Sequence, residues 1–194
     1  MCLAFFKLSR MLSGKVALIT GASSGIGAAT AVLFSKLGAT VSLTGRNVEN
    51  LQKTSLACQQ AAAEQNQKKP LLIQADLMSE DDTSKIVDKT VAEFGKLDIL
   101  VNNAGVLEMG TIENSSLEQY DRIMNVNVRA IYQLTMLATP ELVKTKGNIV
   151  NISSVNGIRS VSFWFSLLLV LEHLLLNVIG KIQKLASLLI FHSI

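Results

Sequence analysis

A run of closely spaced glycines near the amino terminus constrains this chain more than any other feature. Residues Thr20–Gly27 read Thr-Gly-Ala-Ser-Ser-Gly-Ile-Gly and directly follow the apolar segment Val16–Ile19. A strand that ends in such a turn and opens into a helix directs backbone N–H groups towards a bound phosphate. Gly21 permits the sharp turn, Gly25 lets the main chain approach a pyrophosphate, and Gly27 lets the helix pack closely. The pattern therefore predicts a nucleotide-binding strand–turn–helix unit.

Length and composition limit the chain to one domain and narrow its function. Its 194 residues are enough for one well-buried α/β domain. The net charge of +3 is mild and the basic residues are scattered, so binding to nucleic acid is not indicated. Cys2 and Cys58 lie far apart and far from either histidine, which indicates neither a disulfide framework nor a metal site. We expect a cytoplasmic protein without a bound metal.

Apolar runs alternate with helix-like stretches from Lys15 to Ile152. The runs predict strands over residues 16–20, 40–44, 71–74, 99–102 and 148–152, and the stretches between them predict helices over 25–37, 48–65, 79–94 and 116–137. Gly38 is a suitable stop for the first helix, and Ser79 is a suitable start for the third. Short apolar strands separated by helices favour a parallel sheet covered on both faces. The expected fold class is α/β, with five strands of a doubly wound sheet.

The two ends of the chain differ from this alternating part. We interpret residues 1–13 as a leader whose apolar stretch is too short for a signal-peptide core, and we leave open both its disorder and a start at Met11. Residues 14–158 form the predicted nucleotide-binding domain. Residues 159–194 form an apolar tail, in which the segment from Val161 to Ile194 holds ten Leu and no Asp, Pro, Arg or Tyr. The abrupt change in composition marks a boundary.

Four further features, in the expected order, extend the glycine motif into a resemblance to the short-chain dehydrogenase/reductase family. Asp76-Leu77 follows the third predicted strand, and the Asn-Asn-Ala-Gly sequence of Asn102–Gly105 begins at the end of the fourth. Asn127 matches the family's helix asparagine, and Ser154 matches the serine that follows the fifth strand. The resemblance covers about residues 14–158. It implies a Rossmann-type dinucleotide-binding fold, here incomplete.

The resemblance also implies roles for individual residues. Asn127 would hold a water in a proton relay, and Ser154 would hydrogen-bond the substrate oxygen. The cofactor would contact the glycine loop and the Asn-Asn-Ala-Gly signature, and its adenine ring would contact the pair Asp76-Leu77. These implied cofactor-binding residues are Gly21, Ser23, Ser24, Gly25, Ile26, Gly27, Asp76, Leu77, Asn103, Ala104 and Gly105.

The end of the second predicted strand carries a basic residue where many dinucleotide-binding chains carry an acid. In this fold an acid there hydrogen-bonds the adenosine ribose hydroxyls. Here Arg46 follows the strand, and no acid occurs before Glu49. A guanidinium at this place can pair with a 2′-phosphate, whereas a carboxylate would repel it. NADP(H) is therefore the expected cofactor, favoured over NAD(H).

The motif that supplies the family's general acid is absent. In the family a Tyr-x-x-x-Lys sequence follows the serine on the next helix. The chain's tyrosines, Tyr120 and Tyr132, both precede Ser154, and the corresponding positions hold Leu167 and Leu171. The expected function is that of an oxidoreductase that transfers hydride at a carbonyl or hydroxyl group, with impaired catalysis. The alternative is a non-catalytic nucleotide-binding or interaction protein that pairs with a full-length relative.

Three interpretations of the apolar tail stay open. A frame-shifted or alternatively spliced end would explain the abrupt change in composition. A membrane-associating segment is the second, because residues 161–179 are rich in Leu, Ile, Val and Phe, although Glu172 opposes insertion. The third is a helix that packs where the family's missing helix would lie. In each case the tail stands where other members of the family have the segment that forms the substrate pocket, so no particular substrate is predicted.

Overall fold

The computed structural model describes residues 11–62, 68–111 and 113–154, which form a parallel sheet with helices on both faces. The five strands are β1 Val16–Thr20, β2 Thr40–Gly45, β3 Leu71–Gln74, β4 Ile99–Asn102 and β5 Asn148–Asn151. The helices are α1 Gly25–Lys36, α2 Val48–Ala61, α3 Glu80–Phe94, α4 Leu117–Met124, the π-helical segment Asn125–Arg129 and α5 Ala130–Thr145. This alternation confirms the predicted α/β class and the five-stranded doubly wound sheet.

The order of the strands places a crevice at the carboxyl ends of the central strands. The sheet runs β3-β2-β1-β4-β5, and every neighbouring pair is parallel. The chain therefore moves outward from β1 to β3 and then returns to the other side of β1 for β4 and β5. Loops leaving β1 and β4 diverge at this reversal, and open α/β sheets bind their ligands there, beyond the carboxyl ends of the strands.

Alternate residues of β1 pack into two separate apolar layers. Ile19 lies in a buried cluster with Ala31 of α1 and Leu51 of α2. Leu18 points to the opposite face and lies in a second cluster with Leu134 of α5. Because both faces of β1 are covered, its sequence is almost continuously apolar, as is typical of a central parallel strand.

Local signals begin and end the helices where the sequence indicates. Ser79 caps α3, since its hydroxyl accepts a hydrogen bond of 3.2 Å from the backbone N–H of Asp82. Gly38 follows α1 with a φ of +98°, a left-handed conformation that favours glycine. The predicted start at Ser79 and the predicted stop at Gly38 are therefore confirmed.

The last helix differs most from its prediction. It was expected to end at residue 137, but it continues through the π-helical segment and α5 to Thr145, across Pro140. A proline inside a helix costs about 3 kcal/mol. Leu134, Ala138 and Leu142 of α5 are buried in the core, and their burial outweighs that cost. The predicted end at residue 137 was therefore wrong by eight residues, because the helix continues as far as its buried face does.

The other boundaries differ only slightly, and several predictions concern residues outside the described ranges. α2 ends at Ala61, whereas the prediction extended it to residue 65; residues 63–67 are outside the described ranges. β2 ends one residue later than predicted and β5 one residue earlier. The predictions for the leader over residues 1–10, for the tail over residues 159–194, and for Leu167 and Leu171 also lie outside the described residues.

An ionic cluster joins β1 to β4 at the amino ends of the strands, opposite the crevice. Asp98 is 2% exposed, and its carboxylate accepts hydrogen bonds from Lys15 at 2.8 Å and from the backbone N–H of Val16 at 2.9 Å. Lys96 pairs with the second carboxylate oxygen at 2.9 Å. Burial acts to raise the pKa of Asp98, but the bonds from Lys15, Val16 and Lys96 outweigh it and lower that pKa.

Candidate nucleotide-binding site

A cleft of about 280 Å³ opens at the carboxyl ends of the strands, at the reversal between β1 and β4. The loops that follow β1, β2, β3 and β4 all contribute to it. Its lining combines most of the predicted cofactor-binding residues with several that were not predicted. These are Gly21, Ser23, Ser24, Thr44, Gly45, Arg46, Ala75, Asp76, Leu77, Asn103, Ala104, Gly105, Val106 and Val126. Residues from four strand ends and from the π-helical segment therefore meet in one place.

Each of the three motif glycines meets a different structural requirement. Gly21 has a φ of +63°, and a Cβ there would lie 2.9 Å from the Cα of Ala104. Gly25 has a φ of +54°, but a Cβ there would meet open space, which suits a position where a ligand approaches the backbone. A Cβ at Gly27 would collide with the side chain of Asn103 and with the carbonyl of Gly21. The tight packing at Gly27 is therefore against the loop itself.

The amino end of α1 faces this glycine loop. α1 begins at Gly25 with no side-chain cap, so Ser24 leaves the first backbone N–H groups of the helix to other partners. Ile26 is 47% exposed in the first turn. An uncapped helix start beside a glycine loop provides N–H groups and a positive dipole end for a phosphate.

The hydroxyl of Thr20 joins the glycine loop to the Asn-Asn-Ala-Gly segment. It accepts hydrogen bonds of 2.9 Å from the backbone N–H groups of both Asn103 and Ala104. The side-chain amide of Asn103 returns a bond of 2.9 Å to the carbonyl of Thr20 and one of 3.3 Å to that of Gly21. These contacts hold the ends of β1 and β4 together at the base of the cleft. Thr20 was not among the predicted site residues.

The first asparagine of the signature joins β4 to β5 instead. Asn102 is 1% exposed, and its amide donates a hydrogen bond of 2.9 Å to the side-chain oxygen of Asn151. A longer contact of 3.4 Å reaches the hydroxyl of Thr135 on α5. Asn102 therefore connects β4 to β5, whereas Asn103 connects β4 to β1 and also lines the cleft.

Arg46 and Asp76 are the charged members of the described cleft lining. Arg46 follows β2 directly, and its carbonyl accepts a hydrogen bond of 3.4 Å from Gln74 at the end of β3. None of the ion pairs within the described ranges includes Arg46. Its guanidinium is therefore available to an anion at the β2 side of the cleft.

The turn that follows β3 is ordered by its own hydrogen bonds. The Asp76 carboxylate accepts a bond of 3.0 Å from the backbone N–H of Met78, and the Asp76 carbonyl accepts one of 2.9 Å from Ser79. The backbone N–H of Asp76 donates to the Asp82 carboxylate at 3.1 Å. This turn presents Asp76 and Leu77 to the cleft.

Of the two predicted catalytic residues, Asn127 contacts the cleft lining. The side-chain amide of Asn127 both accepts from the N–H and donates to the carbonyl of Val106, each at 2.8 Å. Asn127 thus supports the cleft wall from behind, and its predicted role in holding a water stays a prediction. Ser154 is exposed beyond the end of β5, at the same edge of the sheet. Its predicted contact with a substrate oxygen also stays a prediction.

Several cleft residues were missed because no motif marks them. Thr44 and Gly45 end β2, while Val106 and Val126 complete the wall beyond the signature. Thr44 is 1% exposed, and its hydroxyl has no hydrogen-bond partner within the described structure. The position of Thr44 at the end of the second predicted strand, two residues before Arg46, was the sequence signal that could have drawn attention to it.

Comparisons with known proteins agree with this arrangement. The family model for short chain dehydrogenases matches residues 15–166. A 3-oxoacyl-(acyl-carrier-protein) reductase from Thermotoga maritima is 37% identical over 148 residues, which are 76% of this chain and 58% of that protein. A solved short chain dehydrogenase from Burkholderia cenocepacia in complex with NADP is 34% identical, with a TM-score of 0.73 over 80% of this chain and 61% of that one. A putative short chain dehydrogenase from Pseudomonas syringae is 29% identical, with a TM-score of 0.82 over 91% and 74%.

The chain belongs to the short-chain dehydrogenase/reductase family, and its five-stranded α/β fold is shared with solved members of that family. It spans somewhat over half the length of the Thermotoga maritima reductase. Within the described ranges, none of the helices has the length and apolar character needed to cross a bilayer.

Proposed function

We propose that this chain binds NADP(H) in preference to NAD(H). The observation that carries the proposal is the position of Arg46, at the end of β2 and in the cleft, without an ion-pair partner among the described residues. A guanidinium forms paired hydrogen bonds with a phosphate, and it has no comparable partner in a plain ribose. The solved relative from Burkholderia cenocepacia, a complex with NADP, supports the same choice.

The remaining cleft residues divide the dinucleotide between them in this proposal. The backbone and hydroxyls of Ser23 and Ser24 meet the pyrophosphate at the start of α1. Asp76 and Leu77 meet the adenine ring on the β3 side. Gly105 lies across β1 from them, so the nicotinamide half occupies the β4 side of the cleft.

A binding measurement with two cofactors tests the proposal. Arg46→Asp should weaken NADPH by about 1.5–3 kcal/mol, the contribution of hydrogen bonds to a charged group, while changing NADH much less. Lys53→Asp is the matched control, because Lys53 is exposed on α2 outside the cleft lining and the substitution changes the net charge by the same amount. Equal affinity of the unmodified chain for NADPH and NADH would refute the preference.

We further propose that hydride transfer at a carbonyl or hydroxyl group is the parent activity, and that this chain performs it poorly. The bound nicotinamide supplies the hydride. Ser154 would hold the substrate oxygen, but a serine hydroxyl is too weak an acid to replace the family's tyrosine. The loss of a general acid typically reduces the rate by about 10²–10⁴. The cytoplasm is the proposed location, supported by the unclustered cysteines of the sequence.

A second candidate function is that of a nucleotide-binding partner for a full-length relative. β5 is the last strand of the sheet, and none of the described residues pairs with its outer edge. An edge strand carries N–H and C=O groups that pair readily with another chain. Association with a full-length short-chain dehydrogenase, measured by light scattering of the mixture, separates this candidate from an independent enzyme.

A further inference from the structure

The wall of the cleft on the β4 side is a loop that contains residues 103–111. Gly105 and Val106 of this loop line the cleft. Its next apolar side chains do not anchor it in the core, because Leu107 is 62% exposed and Met109 is 75% exposed. The position of this wall therefore depends on polar contacts, since apolar burial contributes little to it.

A bidentate ion pair holds the middle of the loop. The Arg122 guanidinium donates to both oxygens of Glu108, from Nε at 2.7 Å and from Nη2 at 2.8 Å. This paired geometry fixes orientation as well as distance. The bonds from Arg122 also hold the pKa of Glu108 below its usual range. Glu108 is therefore ionised at neutral pH, and the pair weakens only as the pH falls through that lowered pKa.

Two further contacts hold the loop on either side of this pair. The side-chain amide of Gln119 donates a hydrogen bond of 2.9 Å to the carbonyl of Met109. The amide of Asn127 holds both backbone groups of Val106 at 2.8 Å. We call Gln119, Arg122 and Asn127 the loop clamp.

The π-helical segment brings the three clamp residues onto one face of a continuous helix. Gln119 and Arg122 lie three residues apart, which places them on the same side of α4. Asn127 lies eight residues beyond Gln119, whereas two α-helical turns contain about 7.2 residues. The π-helical segment Asn125–Arg129 accommodates the extra residue, so that the side chain of Asn127 is placed to hydrogen-bond the loop.

We propose that Arg122 and Gln119 are positioning residues that, with Asn127, hold the 105–109 wall in place for the nicotinamide half of the cofactor. This inference rests on the proposed function for the orientation of the dinucleotide. The adenosine half lies on the other side of β1, near Arg46, and does not meet the clamped wall. Release of the clamp should therefore weaken the whole dinucleotide and leave an adenosine fragment unaffected.

The expected size of the effect follows from the fraction of time that the wall is in place. Apparent affinity falls in proportion to the population of the binding-competent state. If the released loop holds its position between a third and a tenth of the time, the dissociation constant for NADPH rises about three- to tenfold. The constant for adenosine 2′,5′-bisphosphate stays the same.

The experiment uses the full chain and four variants. Glu108→Gln and Arg122→Gln each release the clamp, and the double variant Glu108→Arg with Arg122→Glu restores an ion pair of reversed polarity. Glu141→Gln is the matched control, because Glu141 pairs with Lys144 at 2.6 Å on α5 and is similarly exposed, at 22% against 28% for Glu108. Dissociation constants for NADPH and for adenosine 2′,5′-bisphosphate are measured for each protein.

We expect weaker NADPH binding in both single clamp variants, recovery in the double variant, and no change in Glu141→Gln. Unchanged NADPH binding in Glu108→Gln, or an equal loss for the two ligands, would overturn the inference. Hydrogen exchange of the amides of residues 105–111, measured without nucleotide, is a second readout. It should be faster in Glu108→Gln than in Glu141→Gln, and equal rates would also overturn the inference. If the unmodified chain binds neither ligand, the proposed function fails, and the exchange rates still decide whether the clamp holds the loop.

Discussion

Replacing Thr20 by Val removes the hydroxyl at the base of the cleft and keeps the shape of the side chain. Thr20 is 1% exposed, and its hydroxyl accepts from the N–H groups of Asn103 and Ala104, each at 2.9 Å. The substitution leaves both donors without this acceptor. A buried donor left unsatisfied costs about 1–3 kcal/mol, and since these two are partly buried we expect a loss of about 2–4 kcal/mol in the free energy of unfolding.

Thr44→Val provides a matched control on the neighbouring strand. Thr44 pairs with Thr20 in the register of β1 and β2 and is also 1% exposed. Its hydroxyl, however, has no hydrogen-bond partner within the described structure. Removal of a buried hydroxyl without a partner relieves a desolvation cost, so Thr44→Val should be neutral or stabilising by about 1 kcal/mol.

Urea unfolding of the full chain, followed by circular dichroism, measures both effects. We expect a lower midpoint for Thr20→Val and an unchanged or higher one for Thr44→Val, with similar slopes for all three proteins. The reasoning is refuted if the two substitutions change the free energy of unfolding equally. It is also refuted if Thr20→Val lies within about 0.5 kcal/mol of the unmodified chain, the range of an ordinary surface substitution.

Three further predictions concern other parts of the molecule. Asp98→Asn should lower the free energy of unfolding by about 1–2 kcal/mol above pH 5, a modest loss because Lys15 and Lys96 are half-exposed. Because the pKa of Asp98 is lowered in the folded chain, this difference should vanish as the pH falls through that pKa. A difference in the free energy of unfolding that stays constant between pH 2 and pH 7 would contradict this. Gly25→Val should retain the circular dichroism of the fold, at reduced stability because the φ of +54° is strained for valine, and should lose NADPH binding. Gly27→Ala should destabilise the fold more, because its Cβ would collide with Asn103 and Gly21. Normal binding by Gly25→Val would show that the loop does not hold the pyrophosphate. With saturating NADPH and a panel of aldehydes, ketones and quinones, turnover should be lower than the about 1–10³ s⁻¹ typical of enzymes, and turnover near 1 s⁻¹ that survives in Ser154→Ala would contradict the proposed mechanism.

Local features of the sequence were sufficient for most of the fold. The predicted strands at residues 16–20, 71–74 and 99–102 have the observed bounds, because buried parallel strands are short, apolar and bordered by turn residues. The start of α3 at Ser79 and the stop at Gly38 depend on hydrogen bonds and backbone angles within a few residues of each position. The glycine motif likewise predicted a cleft that the other three loops then complete.

Tertiary structure alone decided how the site is held together. Thr20 meets Asn103 across more than 80 positions of sequence, and Arg122 meets Glu108 only because α4 folds back over the loop. Asn127 reaches Val106 through a π-helical turn that no local pattern indicated, and α5 continues past Pro140 because its opposite face is buried. Caps and strand patterns are determined by neighbouring residues and can be predicted from the sequence. Contacts between distant segments form only when the sheet has brought those segments together, so their partners became known only from the fold.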